Sequence, residues 1–186
     1  MISTNDVKPG MALDLPDGLF QVVEYQHVKP GKGKAFVRMK LKNVRSGAVV
    51  DRTFRAGENV PRATIDRRDF QYLYKDDLGL HFMDQETYEQ MAVPSETVGA
   101  AAQYITEGAT VRIAMFEGTP VNIELPASVE LAVTHAEPGV KGDRVSGATK
   151  PVTLETGKVI QAPLFVDEGD VIKVDTRTGD YITRVS

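Results

Sequence analysis

The sequence predicts a mainly β protein built as three small β-rich segments, residues 1–63, 64–127 and 128–186. Three observations point there. Short runs rich in β-branched and aromatic residues recur along the chain, bounded by Gly, Pro, Asn and Asp pairs, which is the punctuation of strands and hairpins. Only one stretch carries a helical period. The charge is also divided: the net charge of −4 hides 11 Lys+Arg against 6 Asp+Glu in residues 1–63, 4 against 11 in residues 64–128, and 7 against 9 in residues 129–186. Segments of about sixty residues lie near the lower size limit for independent folding, so they are expected to support one another through their interfaces.

In the first segment, "LFQVVEYQHV" (19–28) reads as a strand ending at a Pro-Gly turn. "AFVRMKLKNV" (35–44) alternates strictly, with Val37, Met39 and Leu41 on one face and Arg38, Lys40 and Lys42 on the other. That is a half-buried strand with a cationic outer face. "SGAVVDRTFR" (46–55) adds another strand, ending near Ala56-Gly57. Between the first two strands, "HVKPGKGKAF" (27–36) gathers Lys29, Lys32 and Lys34 around a turn. Pro30-Gly31 suits the centre of a type II turn, with Pro presetting φ and Gly accepting a positive φ. Gly33 adds a second flexible point. The tip is either a solvated hairpin end or a probe aimed at a polyanion. Residues 29–55 hold nine basic residues and one acid, Asp51, which favours nucleic-acid contact.

In the second segment, Phe70, Tyr72 and Tyr74 sit two apart on a predicted strand and are read as core in acidic surroundings. Short β-like runs follow at 79–83 and 87–92. "PSETVGAAAQYITEG" (94–108) then changes period: Val98, Ala101, Ala102 and Ile105 form a helical stripe, with Ser95 as N-cap and Gly108 as stop. "ATVRIAMFEGTPVNIELP" (109–126) returns to two strands around a Gly-Thr-Pro turn. Short strands with one small helix indicate a barrel of the oligonucleotide/oligosaccharide-binding (OB) type. In the third segment, 128–138 and 169–185 read as strands, the latter a hairpin about Thr178-Gly179. The loop between them, "GVKGDRVSGATKP" (139–151), is too long for a tight turn.

Several chemistries find no support. The chain has no Cys, which excludes disulfides, thiolate catalysis and cysteine-ligated zinc. His27, His81 and His135 lack metal-ligand spacing and are expected to be partly buried structural residues. "GKGK" is not a phosphate-binding loop, because the G-x-x-x-x-G-K-[ST] pattern is missing. Asp76-Asp77 and Glu168-Asp170 read as turn residues. No enzyme is expected, and no cofactor or metal. With no run of eighteen apolar residues and no basic-then-apolar N-terminus, a cytoplasmic protein without a membrane partner is expected.

The tip sequence "HVKPGKGKAFVRMKLKN" strongly resembles the first-domain hairpin of the bacterial elongation factor P family, including the lysine between two glycines. The resemblance continues in order through "RTFRAGE" (52–58), "QYLY" (71–74), "FMDQETYEQ" (82–90), "PGVKGD" (138–143), "KPVTLETGKVI" (150–160) and "PLFVDEGDVIKVDTRTGDY" (163–181). It implies an SH3-like (KOW-type) barrel followed by two OB-type barrels, in an L-shaped arrangement like a tRNA. It also implies a monomer that binds both ribosomal subunits between the peptidyl and exit tRNA sites and promotes peptide bond formation at consecutive prolines.

By that resemblance Lys32 contacts the acceptor end of the peptidyl-tRNA, flanked by Lys29, Pro30, Gly31, Gly33 and Lys34. Arg38, Lys40 and Lys42 would hold RNA backbone. In many relatives the tip residue is lengthened covalently, so Lys32 is a candidate modification site and a modifying enzyme a candidate partner. The loop residues Gly142, Asp143, Arg144 and Gly147 match a segment that approaches the exit-site codon. Arg144 departs from the family's usual hydroxyl residue there. Tyr181 and Arg184 match positions facing the small subunit. Behind this reading stand a paralogue of the same fold and a general RNA-binding or RNA-chaperone module.

Overall fold

Residues 1–139 and 148–186 are described here from a computed structural model. In the first segment the strands are β1 (Ile2–Ser3), β2 (Ala12–Leu15), β3 (Gly18–Val28), β4 (Phe36–Asn43), β5 (Val49–Arg55), β6 (Asn59–Val60) and β7 (Arg62–Ala63). Five of these form an antiparallel sheet in the order β5-β4-β3-β2-β7, while β1 pairs with β6. The strict alternation of β4 is realised: Val37, Met39 and Leu41 are fully buried and pack with Leu13, Phe20 and Val22. Each such side chain contributes roughly 1.5–3 kcal/mol by leaving water. Thr4 is fully buried; its hydroxyl donates to the Arg55 carbonyl at 2.8 Å, and its own carbonyl accepts from the Tyr25 hydroxyl at 2.8 Å. The start of the chain is thereby tied to the tip-proximal half of the β3–β4–β5 sheet, where Arg55 pairs with Phe36 and Tyr25 with Met39. Burial, and then the nearby Asp6, push the Tyr25 phenol up.

The second segment contains β8 (Asp66–Asp76), β9 (Gly79–Asp84), β10 (Gln90–Val93), β11 (Thr110–Phe116) and β12 (Thr119–Glu124), in the sheet order β10-β9-β8-β11-β12. The third contains β13 (Ser128–Ala136), β14 (Thr149–Leu154), β15 (Val159–Pro163), β16 (Val171–Asp175) and β17 (Tyr181–Arg184), in the order β15-β14-β13-β16-β17. The mainly β, three-domain architecture is thus present. By contacts the chain divides into two compact units, residues 1–67 with 114–122, and residues 68–113 with 123–186. Within the first unit, Ala114 and Val121 pack with Ala12, Leu19, Val44 and Ala63. Within the second, Tyr104 packs into the third segment's core beside Leu131, Val152 and Ile172.

The structure corrects several local expectations. Residues 94–108 do not form one helix capped by Ser95 and stopped by Gly108. They form a short α-helix, α1 (Ser95–Val98), whose N-cap is Pro94, followed by a 3₁₀ segment, Gly99–Tyr104. The break falls at Gly99, whose φ of 57° leaves the right-handed helical region. The β11–β12 turn is Glu117-Gly118, both at positive φ (50° and 77°), and Thr119 and Pro120 already belong to β12. β12 is an edge strand, where proline's missing N–H costs no ladder bond. The Phe70–Tyr74 run is only partly core: a register shift between Tyr72 and Tyr74 leaves Tyr74 45% exposed, stacked on His81 at 4.3 Å. His27 and His135 are exposed, against the expectation of partial burial; His81 alone of the three is partly buried.

Candidate nucleic-acid interface

The site begins with the β3–β4 ladder. Val28 pairs with Phe36, so the hairpin loop runs over residues 29–35 with Lys32 at its midpoint. Lys29, Pro30, Gly31, Lys32, Gly33 and Lys34 are all exposed. Among the described residues, none of the three lysines has a hydrogen-bond or ion-pair partner. The expected type II turn is not formed: the positive φ lies at Gly33 (104°), not at Gly31. A reversal spread over the whole loop needs the left-handed conformation only where the chain turns back toward β4. A Cβ at Gly31 would meet nothing within 4 Å.

On the outer face of β4, Arg38 and Lys42 are exposed, opposite Gln26 and Gln21 of β3. Lys40 is different. It lies between Glu24 and Asp51 in the ladder, and its Nζ is 3.6 Å from the Glu24 carboxylate. The face is therefore cationic at its two ends and balanced in the middle. Sequence reasoning missed Glu24, although the acid was visible on the facing strand. A bulge between Val22 and Glu24 shifts the β3 register and brings Glu24 opposite Lys40. Arg52 is also engaged, donating two bonds to Asp17 at 2.8 and 2.7 Å with its guanidinium 5.3 Å from the Phe20 ring centroid. The Arg52 hydrogen bond holds the Asp17 carboxyl below its usual range.

Tyr181 and Arg184 lie on β17, in the second compact unit. Tyr181 is half-buried against the third segment's core. Arg184 stacks over Phe165 at 5.0 Å and lies 3.7 Å from Asp170. Gly142, Asp143, Arg144 and Gly147 lie outside the described residues. Among the described residues, no group of three His, Asp or Glu side chains could hold a metal ion. No helix among the described residues is long and apolar enough to cross a membrane.

Three β modules in series, the first presenting an exposed lysine-tipped hairpin, define a modular β protein. Family models match all three: the KOW-like domain of elongation factor P over residues 3–60, its OB domain over 65–123, and its C-terminal domain over 129–184. Curated relatives called elongation factor P align over 100% of both chains, at 57% identity in Acidothermus cellulolyticus, 56% in Mycobacterium avium and 52% in Pelotomaculum thermopropionicum. The chain belongs to the elongation factor P family. Among solved structures, the fold is similar to eukaryotic translation initiation factor 5A from Methanococcus jannaschii, with a TM-score of 0.51 and 20% identity over 66% of this chain and 92% of that one. A translation initiation factor of the same family from Naegleria fowleri gives a TM-score of 0.52 at 17% identity over 67% of this chain and 96% of the other.

Proposed function

We propose that this translation elongation factor binds the ribosome between the peptidyl and exit tRNA sites, where Lys32 contacts the acceptor end of the peptidyl-tRNA and promotes peptide bond formation at consecutive prolines. One observation carries the reading. Lys32 is an exposed ammonium at the midpoint of a hairpin loop, without a partner among the described residues. Proline is a rigid and poor reactant, so its productive geometry has to be imposed from outside. Holding reactants in a near-attack arrangement lowers a barrier by several kcal/mol, up to roughly 7–11 in ideal cases. The chain supplies positioning, and the ribosome does the chemistry.

Lys29 and Lys34 beside the tip, with Arg38 and Lys42 on the outer face of β4, would hold RNA phosphates without reading sequence. Lys40, already paired with Glu24, contributes less. In the C-terminal module, Tyr181 and Arg184, with the loop residues Gly142, Asp143, Arg144 and Gly147, would face the small subunit. Lys32 is also the proposed site of covalent lengthening by a modifying enzyme, and intact-mass measurement of native protein reads the added group directly. The test is translation of a three-proline reporter. Stalling without the protein is relieved by the wild type and persists with Lys32→Ala. A reporter indifferent to the protein would favour the paralogue reading.

A further inference from the structure

We infer that a small notch at the opposite end of β3 from the hairpin tip is a second seat for the RNA phosphodiester backbone. This rests on the RNA-facing reading of the hairpin and extends it to residues outside the tip and the outer face of β4. The notch encloses about 180 Å³ and is lined by Gly10, Gln21, Arg62, Thr64, Ile65 and Arg67, with neighbouring backbone, and no carboxylate belongs to its wall. All of it lies within the first compact unit. Among the described residues, the Gln21 amide, the Thr64 hydroxyl and the Arg62 guanidinium have no hydrogen-bond or ion-pair partner. Such donors, gathered in a concavity without an acid, fit an anion.

The ladder connects the notch to the basic face. Lys42 pairs with Gln21, Gln21 with Ala12, and Ala12 with Ala63. Cross-strand partners share a face, so Gln21 stands beside Lys42 at the edge of the notch. Ala12 and Ala63 of the same row are buried against Ala114 and Val121, and Arg62 belongs to the next row, opposite Leu13. The left-handed turn at Gly10 (φ 95°) forms part of its wall, where the missing Cβ keeps the floor open.

Size and spacing identify the occupant. The volume equals the share of about six waters at roughly 30 Å³ each, enough for a hydrated phosphate group. It is too small for a stacked base with its sugar. Between Gln21 and Val28 the strand advances roughly 3.3 Å per residue, placing the notch about 23 Å from the start of the tip loop. A ligand that engages the notch together with the tip has to be an extended polyanion. An RNA backbone is one; a free phosphate is not.

The test is titration of the ¹⁵N-labelled full-length chain with a mixed-sequence RNA stem-loop. The Gln21 side-chain amide and the backbone N–H groups of Gly10 and Thr64 are expected to shift and to saturate together with residues 29–42. Arg62→Gln should weaken RNA binding by about fivefold, the worth of one charge contact in water. It should also reduce the slope of log K against log salt by about 0.7–0.9, one phosphate contact. Arg62→Lys should retain the slope, and Gln21→Leu provides a second variant in the same wall. Inorganic phosphate at matched phosphate concentration should leave the Gln21 amide unmoved. Shifts confined to 29–42, an unchanged slope in Arg62→Gln, or equal shifts with phosphate alone would overturn the assignment. Persistence of the Gln21 shifts in a chain that fails to relieve proline stalling removes the ribosomal reading and leaves the notch.

Discussion

Lys32 has a consequence separable from its charge, because the loop around it depends on one glycine more than the other. Gly33 sits at φ 104°, where an L side chain is strained, whereas Gly31 does not adopt a positive φ and a Cβ there would meet nothing within 4 Å. Gly31→Ala is therefore expected to relieve proline stalling as the wild type does. Gly33→Ala is expected to lose most of that activity, through a displaced Lys32, with its thermal midpoint little changed. Equal activity of the two variants in the reporter would show that the loop backbone does not set the tip. A second residue, Asp84, governs a pH response. Its buried carboxylate accepts the Glu86 N–H at 2.8 Å and the Thr87 N–H at 3.2 Å and lies 3.1 Å from Arg68. The Glu86 bond, the larger influence, holds the Asp84 carboxyl below its usual 3.8. A depressed folded-state pKa gives stability that is fully present above the unfolded value and lost as pH falls through the folded one. The urea midpoint should fall as pH drops below about 4, and the fall should be smaller in Asp84→Asn. Parallel curves for the two proteins would remove Asp84 from the account.

At the scale of elements, the strands were legible because one face of each sheet is buried, which forces period-two alternation into the sequence. β4 is the clearest case: its apolar set is fully buried and its basic set faces outward. What alternation does not encode is register. The bulge after Val22 decides that Glu24 meets Lys40, and the shift after Tyr72 decides that Tyr74 leaves the core. Turn chemistry was legible in position and misleading in type, since Gly31 and Gly33 are chemically alike and only the path of the chain decides which takes the positive φ. The 95–104 region failed for another reason. Its apolar stripe has a helical period, but Gly99 breaks the helix and Tyr104 is committed to the core of the next module. Tertiary packing there overrides local periodicity. Of the candidate site, the tip lysines and the outer face of β4 were visible in the sequence. The notch was not, because Gln21 lies about forty residues before the Arg62–Thr64 stretch and the two meet only through the β2–β3 and β2–β7 pairings.

Across the whole molecule, the basic residues concentrate in the module that carries the hairpin, while the middle segment is strongly acidic. Under the proposed function, an RNA partner would be drawn to that module by charge that salt screens within about 8 Å at physiological ionic strength. Continuity between modules rests on packing. In the second compact unit, Tyr104 fills the C-terminal core, the Thr156 hydroxyl donates to the Gln103 carbonyl at 2.6 Å, and Lys158 Nζ donates to the Gln103 side chain at 3.2 Å. Tyr104→Ala should cost about 3 kcal/mol or more, as buried aromatic truncations do, read as a lower denaturation midpoint. An unchanged midpoint would show that the ring adds nothing to the core it enters.

The central claim is that Lys32 acts on geometry while the remaining basic surface supplies affinity. It is tested most directly by measuring ribosome binding and three-proline reporter translation side by side for the wild type and Lys32→Ala. The account predicts loss of stall relief to the level seen without the protein, with affinity reduced by no more than about fivefold, since one ammonium–phosphate contact in water is worth about 1 kcal/mol. Stall relief by Lys32→Ala equal to that of the wild type would contradict it.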